Sequence, residues 1–372
     1  MYNREEVHIN KKNLLIVAAN GLGRSGVPNV ILQVIKATKN DYNIDLVVFN
    51  NDDFYKNEIE NRGVNVFKMP YDEPNTKIKR LLWRLFREKK LVSNGFKELL
   101  SLKHYDIIHS FREYDSAYIF KVGFEKEISK RILHCNNEIR KPRNIVSRII
   151  CSYKRNLIRK YTTKLIGVSK KCCSISYPGI EYDVLYNTFD ENKFKNILCK
   201  STKENLVLVH LGTFSSRKNQ LFSLDVISEL RNFLPSKLYL IGFEAEKGYL
   251  NLIEEKIKKL NLEESVVIVD GNKDFTEIIE IASFVILPSL SEGAPLVLVE
   301  AQSAGMTCFA SSNVTNEVDC GGVVYIKGFN EKEWSDKILE SFKNGKYKRN
   351  KYNTDRFSFE TFKRKILSIY KE

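Results

Sequence analysis

Short apolar runs separated by helix-length segments constrain the fold of this chain more than any other feature. A short buried run followed by a segment long enough for a helix is typical of a strand and its crossover helix in a parallel sheet. The runs predicted as strands are residues 14–19, 44–49, 64–69, 106–109, 131–134 and 164–168, then 206–211, 238–241, 266–269 and 284–287. The pattern pauses in a polar stretch that ends at Asn205 and then restarts. Because 372 residues also exceed one core of usual size, we predict two doubly wound, Rossmann-like α/β domains.

The excess positive charge belongs to the first half of the chain. Residues 1–185 hold 34 Lys and Arg against 20 Asp and Glu, whereas residues 186–372 hold 26 of each. Such an asymmetry indicates that the first half meets something anionic, such as a membrane surface, a phosphorylated acceptor or nucleic acid.

Two basic segments of that half carry apolar residues at helical spacing. In residues 77–92 the apolar positions form one helical stripe, with Trp83 at its border. In residues 140–164 they recur every four residues, beside nine basic residues and no acidic one. Ordinary helices with a solvated basic face explain both segments, and docking on an anionic membrane surface is the more specific interpretation. We expect no nucleic-acid partner, because the chain shows no known nucleic-acid module and no base-stacking motif.

Nothing in the sequence predicts a membrane span or a disulfide framework. The apolar run 14–19 is too short for a signal-peptide core, and no run approaches the roughly 20 apolar residues that cross a bilayer. The seven cysteines are odd in number and form no C-x-x-C pair. We therefore expect reduced thiols and a cytoplasmic protein, peripheral on the inner face of the plasma membrane if the basic half docks there.

Residues 283–305 carry the most specific chemistry. The run 284–287 predicts a buried strand that Pro288 ends, and after a polar loop Pro295 occupies the place of a first helical residue. Gly305 is predicted to end that helix as its C′ residue. The N-terminus of such a helix offers free N–H groups to an anion.

Two carboxylates frame this turn, Glu292 in the loop and Glu300 in the helix. Glu300 lies about 7 Å along the helix from Pro295, roughly the distance from a diphosphate to the ribose of a nucleotide diphosphate. A strand–loop–helix unit with one exposed and one capping glutamate is the alternative interpretation.

The same residues resemble the Glu-x7-Glu signature of family 4 of the retaining glycosyltransferases. Leu287-Pro288-Ser289 and Glu300-Ala301-Gln302 match the residues that this family usually has around the signature. The resemblance implies the GT-B fold, two facing Rossmann-like domains, and transfer of a sugar from a nucleotide diphosphate donor with retention of configuration. It implies a catalytic role for Glu292 at the donor sugar and a contact of Glu300 with the ribose. The remaining residues implied to bind the donor here are Gly293, Ala294, Pro295 and Leu296.

The loop after residue 211 resembles the Gly-Arg-x-x-x-x-Lys-Asn segment of the same family. Gly212 and Lys218 match, and the resemblance implies that Lys218 holds the donor diphosphate. Thr213 stands where the family has its arginine, and we expect Arg217 to compensate. Further along the first half, residues 131–134 end on a histidine, and the family's functional histidine near the donor sugar is best matched by His134. His109 ends another predicted strand, and a lone histidine of this kind is more often structural.

Residues 21–26, Gly-Leu-Gly-Arg-Ser-Gly, support a rival function. They spell G-x-G-x-x-G between a strand and a helix, the fingerprint of dinucleotide binding. The fingerprint also needs a carboxylate at the end of the second strand; Asp45 opens that strand, and Asp52 lies beyond it. An NAD-dependent oxidoreductase is therefore an alternative. In the glycosyltransferase interpretation Gly26 belongs to the glycine loop that lets the backbone approach the donor.

Residues 1–185 are therefore predicted to form an acceptor-side domain and residues 186–204 a linker. Residues 205–355 are predicted to bind the donor, expected to be a UDP-sugar, and residues 356–372 to form a terminal helix that crosses back. The acceptor is expected to be a lipid-linked or saccharide molecule in bacterial surface polysaccharide synthesis. No cofactor is expected, and no Asp-x-Asp motif or His/Cys cluster predicts a metal. A non-catalytic nucleotide-sugar-binding protein remains a further alternative.

Overall fold

A computed structural model describes residues 11–23, 26–69, 74, 76, 79, 83, 87–139, 144–191 and 197–372. The chain divides into two compact units. Unit 1 comprises Met1–Tyr186 with Glu360–Glu372, and unit 2 comprises Asn187–Phe359.

Unit 1 is built on a parallel sheet of seven strands in the order β3-β2-β1-β4-β5-β6-β7. The strands are β1 Lys12–Val17, β2 Tyr42–Val48, β3 Asn65–Lys68, β4 Ile107–Ser110, β5 Lys130–Cys135, β6 Lys164–Gly167 and β7 Asp183–Val184. Residues 14–17 in the central strand β1 are entirely buried, as expected for a parallel strand covered on both faces. Since β1 pairs with β2 on one side and β4 on the other, the order reverses there, and the crevice beyond the carboxyl ends of β1 and β4 is the switch point of the sheet.

The helices of unit 1 follow the strands in alternation. They are α1 Gly26–Thr38, α2 Lys56–Glu60, α3 Glu88–Leu102, α4 Ser116–Glu125, α5 Ile145–Tyr161 and α6 Lys170–Ser176. Side-chain caps begin α5 and α6: Asn144 accepts a hydrogen bond from Ser147 N, and Ser169 accepts one from Cys172 N. Lys154 of α5 is buried between two carboxylates, with Nζ 2.7 Å from Glu88 and 2.6 Å from Asp115. This lysine of the basic segment therefore holds α5 to α3 and to the turn after β4.

Unit 2 repeats the plan with a six-stranded parallel sheet in the order β10-β9-β8-β11-β12-β13. Its strands are β8 Leu206–Leu211, β9 Ser236–Gly242, β10 Val266–Asp270, β11 Phe284–Leu287, β12 Thr307–Ser311 and β13 Val323–Ile326. Its helices are α7 Gln220–Leu230, α8 Tyr249–Lys259, α9 Thr276–Ile281, α10 Leu296–Ser303 and α11 Glu331–Lys343. Relative to chain order this is the 3-2-1-4-5-6 arrangement of a Rossmann fold, with its switch point between β8 and β11. Leu206 and Leu208 of β8 and Leu238 and Leu240 of β9 belong to one apolar cluster with Trp334 of α11.

A terminal helix, α12, spans Phe359–Lys371. Its residue Tyr370 is fully buried in unit 1, edge-on to Tyr42, and its hydroxyl lies 2.6 Å from His109 Nδ1 of β4.

The predicted α/β fold with two parallel sheets is confirmed, and the predicted runs 206–211 and 284–287 coincide with β8 and β11. One detail of the sequence interpretation stays untested, and two others differ from the structure. The helix predicted at 77–92 lies largely outside the described residues, and α3 begins at Glu88. Trp83 is 7 % exposed, so its side chain does not lie on the surface as a membrane anchor would. Pro295 is the N-cap of α10 rather than its first residue.

Candidate functional site at the switch point of unit 2

Two glycines fix the backbone where β8 and β9 end. Gly212 N donates to Ile241 O at 2.9 Å, and a Cβ built on Gly242 would lie 2.0 Å from Gly212 O. No side chain fits in that space, so position 242 requires glycine. The chain then turns through residues 213–219, and Asn219 precedes α7 in the left-handed conformation, with φ 61°. This turn brings Lys218 back beside Gly212, where a Cβ would lie 3.4 Å from Lys218 Cε.

The carboxylate of Glu292 is bound by both predicted cations. Its Oε1 lies 2.6 Å from Lys218 Nζ, and its Oε2 lies 2.8 Å from Arg217 Nη1. Glu292 is buried and Lys218 nearly so, whereas the Arg217 side chain is 41 % exposed. Burial alone would raise the pKa of Glu292, but the two cations outweigh it and hold the pKa below its usual range. The site therefore contains two positive charges and one ionised carboxylate.

Two serine hydroxyl groups help to hold Glu292 in place. Ser289 Oγ donates to Glu292 Oε1 at 3.0 Å, and Ser311 Oγ of β12 donates to the carbonyl oxygen of Ser289 at 2.7 Å. The loop after β11 is also bonded to the loop after β8, because Leu290 N donates to Arg217 O at 2.8 Å. The loops after the neighbouring strands β8 and β11 are thus bonded to each other at the switch point.

Helix α10 begins directly beside this network. Gly293, Ala294 and the N-cap Pro295 connect Glu292 to Leu296, the first helical residue. Glu300, half-buried, lies in the second turn. At the other end Gly305 has φ 78°, and Met306 N donates to Ala301 O at 2.9 Å. This is a Schellman-type end, and it confirms the C′ position predicted for Gly305.

Sequence reasoning missed His210, a buried residue of β8 just before Gly212. Its Nδ1 lies 2.9 Å from Ser223 Oγ of α7. Burial, together with the charge of Lys218, lowers the pKa of His210 to about 3, so the ring is neutral at physiological pH. The only sequence signal was a polar residue inside the apolar run 206–211, directly before the glycine loop.

The predicted catalytic His134 lies in unit 1, in the interior of the sheet. It is fully buried on β5, with Nδ1 3.2 Å from His109 Nε2. The two imidazoles are nearly parallel, and Phe111 stacks on both. Burial lowers the pKa of His134 to about 3. The role of His134 at a donor sugar stays a prediction.

The glycines of the dinucleotide fingerprint have a local steric role. A Cβ on Gly21 would lie 1.7 Å from Asn50 Oδ1, and one on Gly23 would lie 1.7 Å from Asp52 Oδ2. Both glycines therefore accommodate the loop after β2. Arg24 and Ser25 lie outside the described residues, and Gly26 is the first residue of α1, with no described atom within 4 Å of a Cβ built on it.

The described residues contain neither a candidate metal cluster nor a membrane-spanning helix. No group of three or more His, Cys, Asp or Glu side chains in that part of the chain is placed to hold a metal ion. Within the same residues no helix is long and apolar enough to cross a membrane.

Comparison with known proteins points to the same region. The family model "Glycosyl transferases group 1" matches residues 190–356. The protein EpsF of Bacillus subtilis is 23 % identical over 357 residues, covering 89 % of this chain and 88 % of that protein. The capsular polysaccharide biosynthesis glycosyltransferase CapH of Staphylococcus aureus is 26 % identical over 224 residues, 55 % of this chain and 59 % of its own length.

Solved structures show the same fold. The structure of Anabaena Alr3699/HepE in complex with UDP and glucose superposes with a TM-score of 0.75 at 16 % identity, covering 97 % of this chain and 100 % of that one. The likeness shows the GT-B fold, with two Rossmann-like α/β units in one chain.

Proposed function

Because residues 190–356 match the family model of the glycosyl transferases group 1, we propose that the chain transfers a sugar from a UDP-sugar to a lipid-linked or saccharide acceptor. We place this reaction in the assembly of a bacterial surface polysaccharide, with retention of configuration and without a metal. The name of CapH supports the context, and the UDP complex of HepE supports the nucleotide.

The observation that carries the proposal is the anion site at the switch point of unit 2. Arg217 and Lys218 converge on one carboxylate beside the N-terminus of α10. Two cations and a helix N-terminus are the groups that stabilise the negative charge of a leaving diphosphate. In the donor complex Arg217, the more exposed cation, turns from Glu292 to the diphosphate, and Lys218 bridges the two anions.

The two glutamates then have separate tasks. Glu300, one helical turn beyond the N-terminus of α10, accepts hydrogen bonds from the ribose hydroxyls. Glu292 faces the donor sugar, where positive charge develops at the anomeric carbon as the diphosphate leaves. With retention, the acceptor hydroxyl approaches the face that the diphosphate leaves, so no protein nucleophile is required and none is assigned.

Saturation-transfer NMR with a panel of nucleotide sugars tests the proposal. We expect signal from a UDP-sugar in the parent and its loss in Lys218→Ala. Lys273→Ala is the matched control, because Lys273 is an exposed lysine of the same unit. Absence of binding to every nucleotide sugar, or equal binding in Lys218→Ala, overturns the assignment of this site.

We also propose that α5 places the protein on an anionic membrane surface, where a lipid-linked acceptor would be found. Ile145, Ile149 and Tyr153 form an apolar row on this helix with exposures of 73 %, 64 % and 45 %. Arg148, Arg159 and Lys160 flank the row and are exposed, and α5 contains no acidic residue. Exposed apolar and basic residues on one helix are typical of an interfacial helix.

Vesicle sedimentation tests this surface. Reversal of Arg148, Arg159 and Lys160 to Glu should release the protein from anionic vesicles, since each basic residue near such a surface contributes about 1 kcal/mol. UDP binding should be unchanged. Equal sedimentation of parent and variant contradicts the proposal.

A further inference from the structure

The turn after β4 carries a glutamate in a conformation that glutamate rarely adopts. Glu113 begins the 3-10 turn Glu113–Asp115 with φ 49°, in the left-handed region. This backbone is unfavourable for a residue with a side chain and persists where the surroundings impose it. The turn lies beyond the carboxyl end of β4, beside β1, at the switch point of unit 1. It corresponds topologically to the loop after β11 that carries Glu292 in unit 2.

The other polar side chains of this turn all have partners in the protein. Arg112 donates to Ala19 O at 2.8 Å and contacts Asp115 at 3.4 Å. Asp115 also accepts a hydrogen bond from Lys154 Nζ at 2.6 Å. Tyr114 donates to the carbonyl oxygen of Ser176 at 2.7 Å. Arg112 and Lys154 are therefore both engaged by Asp115. The carboxylate of Glu113, half-buried, makes no hydrogen bond or ion pair with any described residue.

Unpartnered polar atoms lie on the neighbouring elements. Tyr177, directly after α6, is fully buried and edge-on to Tyr114, 5.4 Å between ring centroids, and its hydroxyl has no hydrogen-bond partner among the described residues. Asn136 Oδ1, just beyond β5, and His134 Nε2 are also buried and have no hydrogen-bond partner among the described residues. Buried polar atoms without partners are costly and uncommon, so the hydroxyl of Tyr177, which lies close enough to Glu113 to feel its charge, indicates a polar ligand.

We propose that Glu113 binds hydroxyl groups of the acceptor sugar in the crevice of unit 1, with the hydroxyl of Tyr177 as a second polar contact. This inference rests on the proposed function, because it needs a sugar acceptor. A carboxylate that has no protein partner can accept two hydrogen bonds from vicinal hydroxyls, and a phenol can donate or accept one. A diphosphate is a poor ligand for this place, since Glu113 and Asp115 would repel it. Glu113 is therefore a contact for the acceptor and not for the donor.

The charges around Glu113 give the contact a pH dependence. Burial first, and Asp115 second, raise the pKa of Glu113 to about 7. The titratable groups that face it are Asp115 and Tyr114 in its own turn and Tyr177 after α6, while Lys154 of α5 is bound to Asp115. The ionised form accepts the stronger hydrogen bonds. Transfer should thus become less efficient as pH falls below about 7.

The experiment compares three reactions of the full-length protein. Donor binding is measured by titration with UDP, donor hydrolysis by release of UDP without acceptor, and transfer with a panel of monosaccharides joined through a diphosphate to a short polyprenyl chain. In Glu113→Gln we expect unchanged UDP binding and hydrolysis and a rise in the KM for the acceptor of roughly tenfold, the loss of one hydrogen bond to a charged group. The parent should show a similar rise between pH 8 and pH 6, and Glu113→Gln should not.

Control variants separate this role from a structural one. Glu127→Gln is the matched control, because Glu127 also has a left-handed backbone, φ 57°, but is exposed and lies on the turn before β5. Glu113→Gly and Tyr177→Phe should fold at least as stably as the parent, since they remove backbone strain or an unpaired hydroxyl, and both should raise the acceptor KM. An unchanged acceptor KM in Glu113→Gln and Glu113→Gly, with transfer by the parent intact, overturns this inference alone. A parent that binds no UDP and releases none overturns the proposed function instead.

Discussion

Glu292 and Glu113 occupy corresponding loops of two similar sheets, yet their surroundings act in opposite directions. Each follows the fourth strand of its unit, next to the strand where the order reverses. Two cations and a serine hydroxyl surround Glu292 and lower its pKa. Around Glu113 the cations are bound to Asp115, and burial raises its pKa to about 7. The fold supplies the position, and a few neighbouring side chains decide whether the carboxylate is neutralised within the protein or left for a ligand.

The difference has consequences for stability as well as binding. A carboxylate whose pKa is lowered by folding stabilises the folded state above its unfolded pKa, and this contribution is lost as pH falls through the folded pKa. A carboxylate whose pKa is raised by folding has the opposite effect. It destabilises the folded state once the pH exceeds the pKa of the same carboxyl in the unfolded chain. The two glutamates should therefore respond with opposite signs to the same substitution.

Glu292→Gln should give the largest effect. It leaves two cations without their carboxylate, and breaking a buried ion pair costs about 3 kcal/mol. We expect urea unfolding at pH 7 to show this loss in the free energy of unfolding. The difference from the parent should shrink at pH 3, where the carboxyl of the unfolded parent is protonated and the advantage of the folded carboxylate declines. A variant as stable as the parent at pH 7 would mean that the pairing with Arg217 and Lys218 contributes nothing net.

Glu113→Gln should have the opposite sign and a somewhat smaller size. The folded-state pKa of about 7 exceeds the ordinary value of 4.5, so the parent loses stability as pH rises from 4.5 to 7 and stays less stable above that. The substitution should therefore raise the free energy of unfolding by about 2 kcal/mol at pH 8, given 1.36 kcal/mol for each unit of pKa and a partly exposed carboxyl. It should change nothing at pH 4. A loss of stability at pH 8 would show that Glu113 has a structural partner after all.

The sequence predicted unit 2 and its site more fully than it predicted the crevice of unit 1. The strand runs and the helix end at Gly305 follow from local patterns. The family resemblance assigned Arg217, Lys218 and Glu292 to the donor, and the structure brings them together because two loops beside adjacent strands carry them. Glu113 carries no such signal. Its backbone angle and its lack of a partner arise from how Arg112, Asp115 and Lys154 pair across three elements, and spacing along the chain does not encode that.

The burial of His134 was also not predicted from the sequence. His134 was singled out because a histidine at the carboxyl end of a parallel strand lies near the ligand crevice. Its stacking with His109 and Phe111, and the hydrogen bond between His109 and Tyr370 near the far end of the chain, depend on the packing of α12. No local pattern in residues 131–134 indicates a contact with residue 370.

Arg217→Ala should separate the ligand role of the cations from their pairing with Glu292. Since Arg217 is the more exposed of the two, its removal should leave the fold stable and weaken UDP binding by about 1.5 kcal/mol, the lower end of the range for bonds to charged groups. Calorimetric titration with UDP measures the change, with Lys273→Ala as the control. Full affinity in Arg217→Ala would assign Arg217 to Glu292 alone and leave the diphosphate to Lys218 and α10.

The smallest effect should come from substitution of Ser289, whose hydroxyl contacts the carboxylate of Glu292 and is not predicted to contact a ligand. Among the described residues its hydroxyl contacts Glu292 together with the charged groups of Arg217 and Lys218, and it is the neutral group of this set. Ser289→Ala should cost about 1 kcal/mol of stability, the usual net contribution of one hydrogen bond. If the hydroxyl orients Glu292 for the donor sugar, turnover should fall while the affinity for UDP stays unchanged, because UDP lacks the sugar that Glu292 faces. Ser289→Thr, which retains a hydroxyl, should restore part of the turnover. Equal loss of turnover in the alanine and threonine variants would instead indicate a packing defect in the loop after β11.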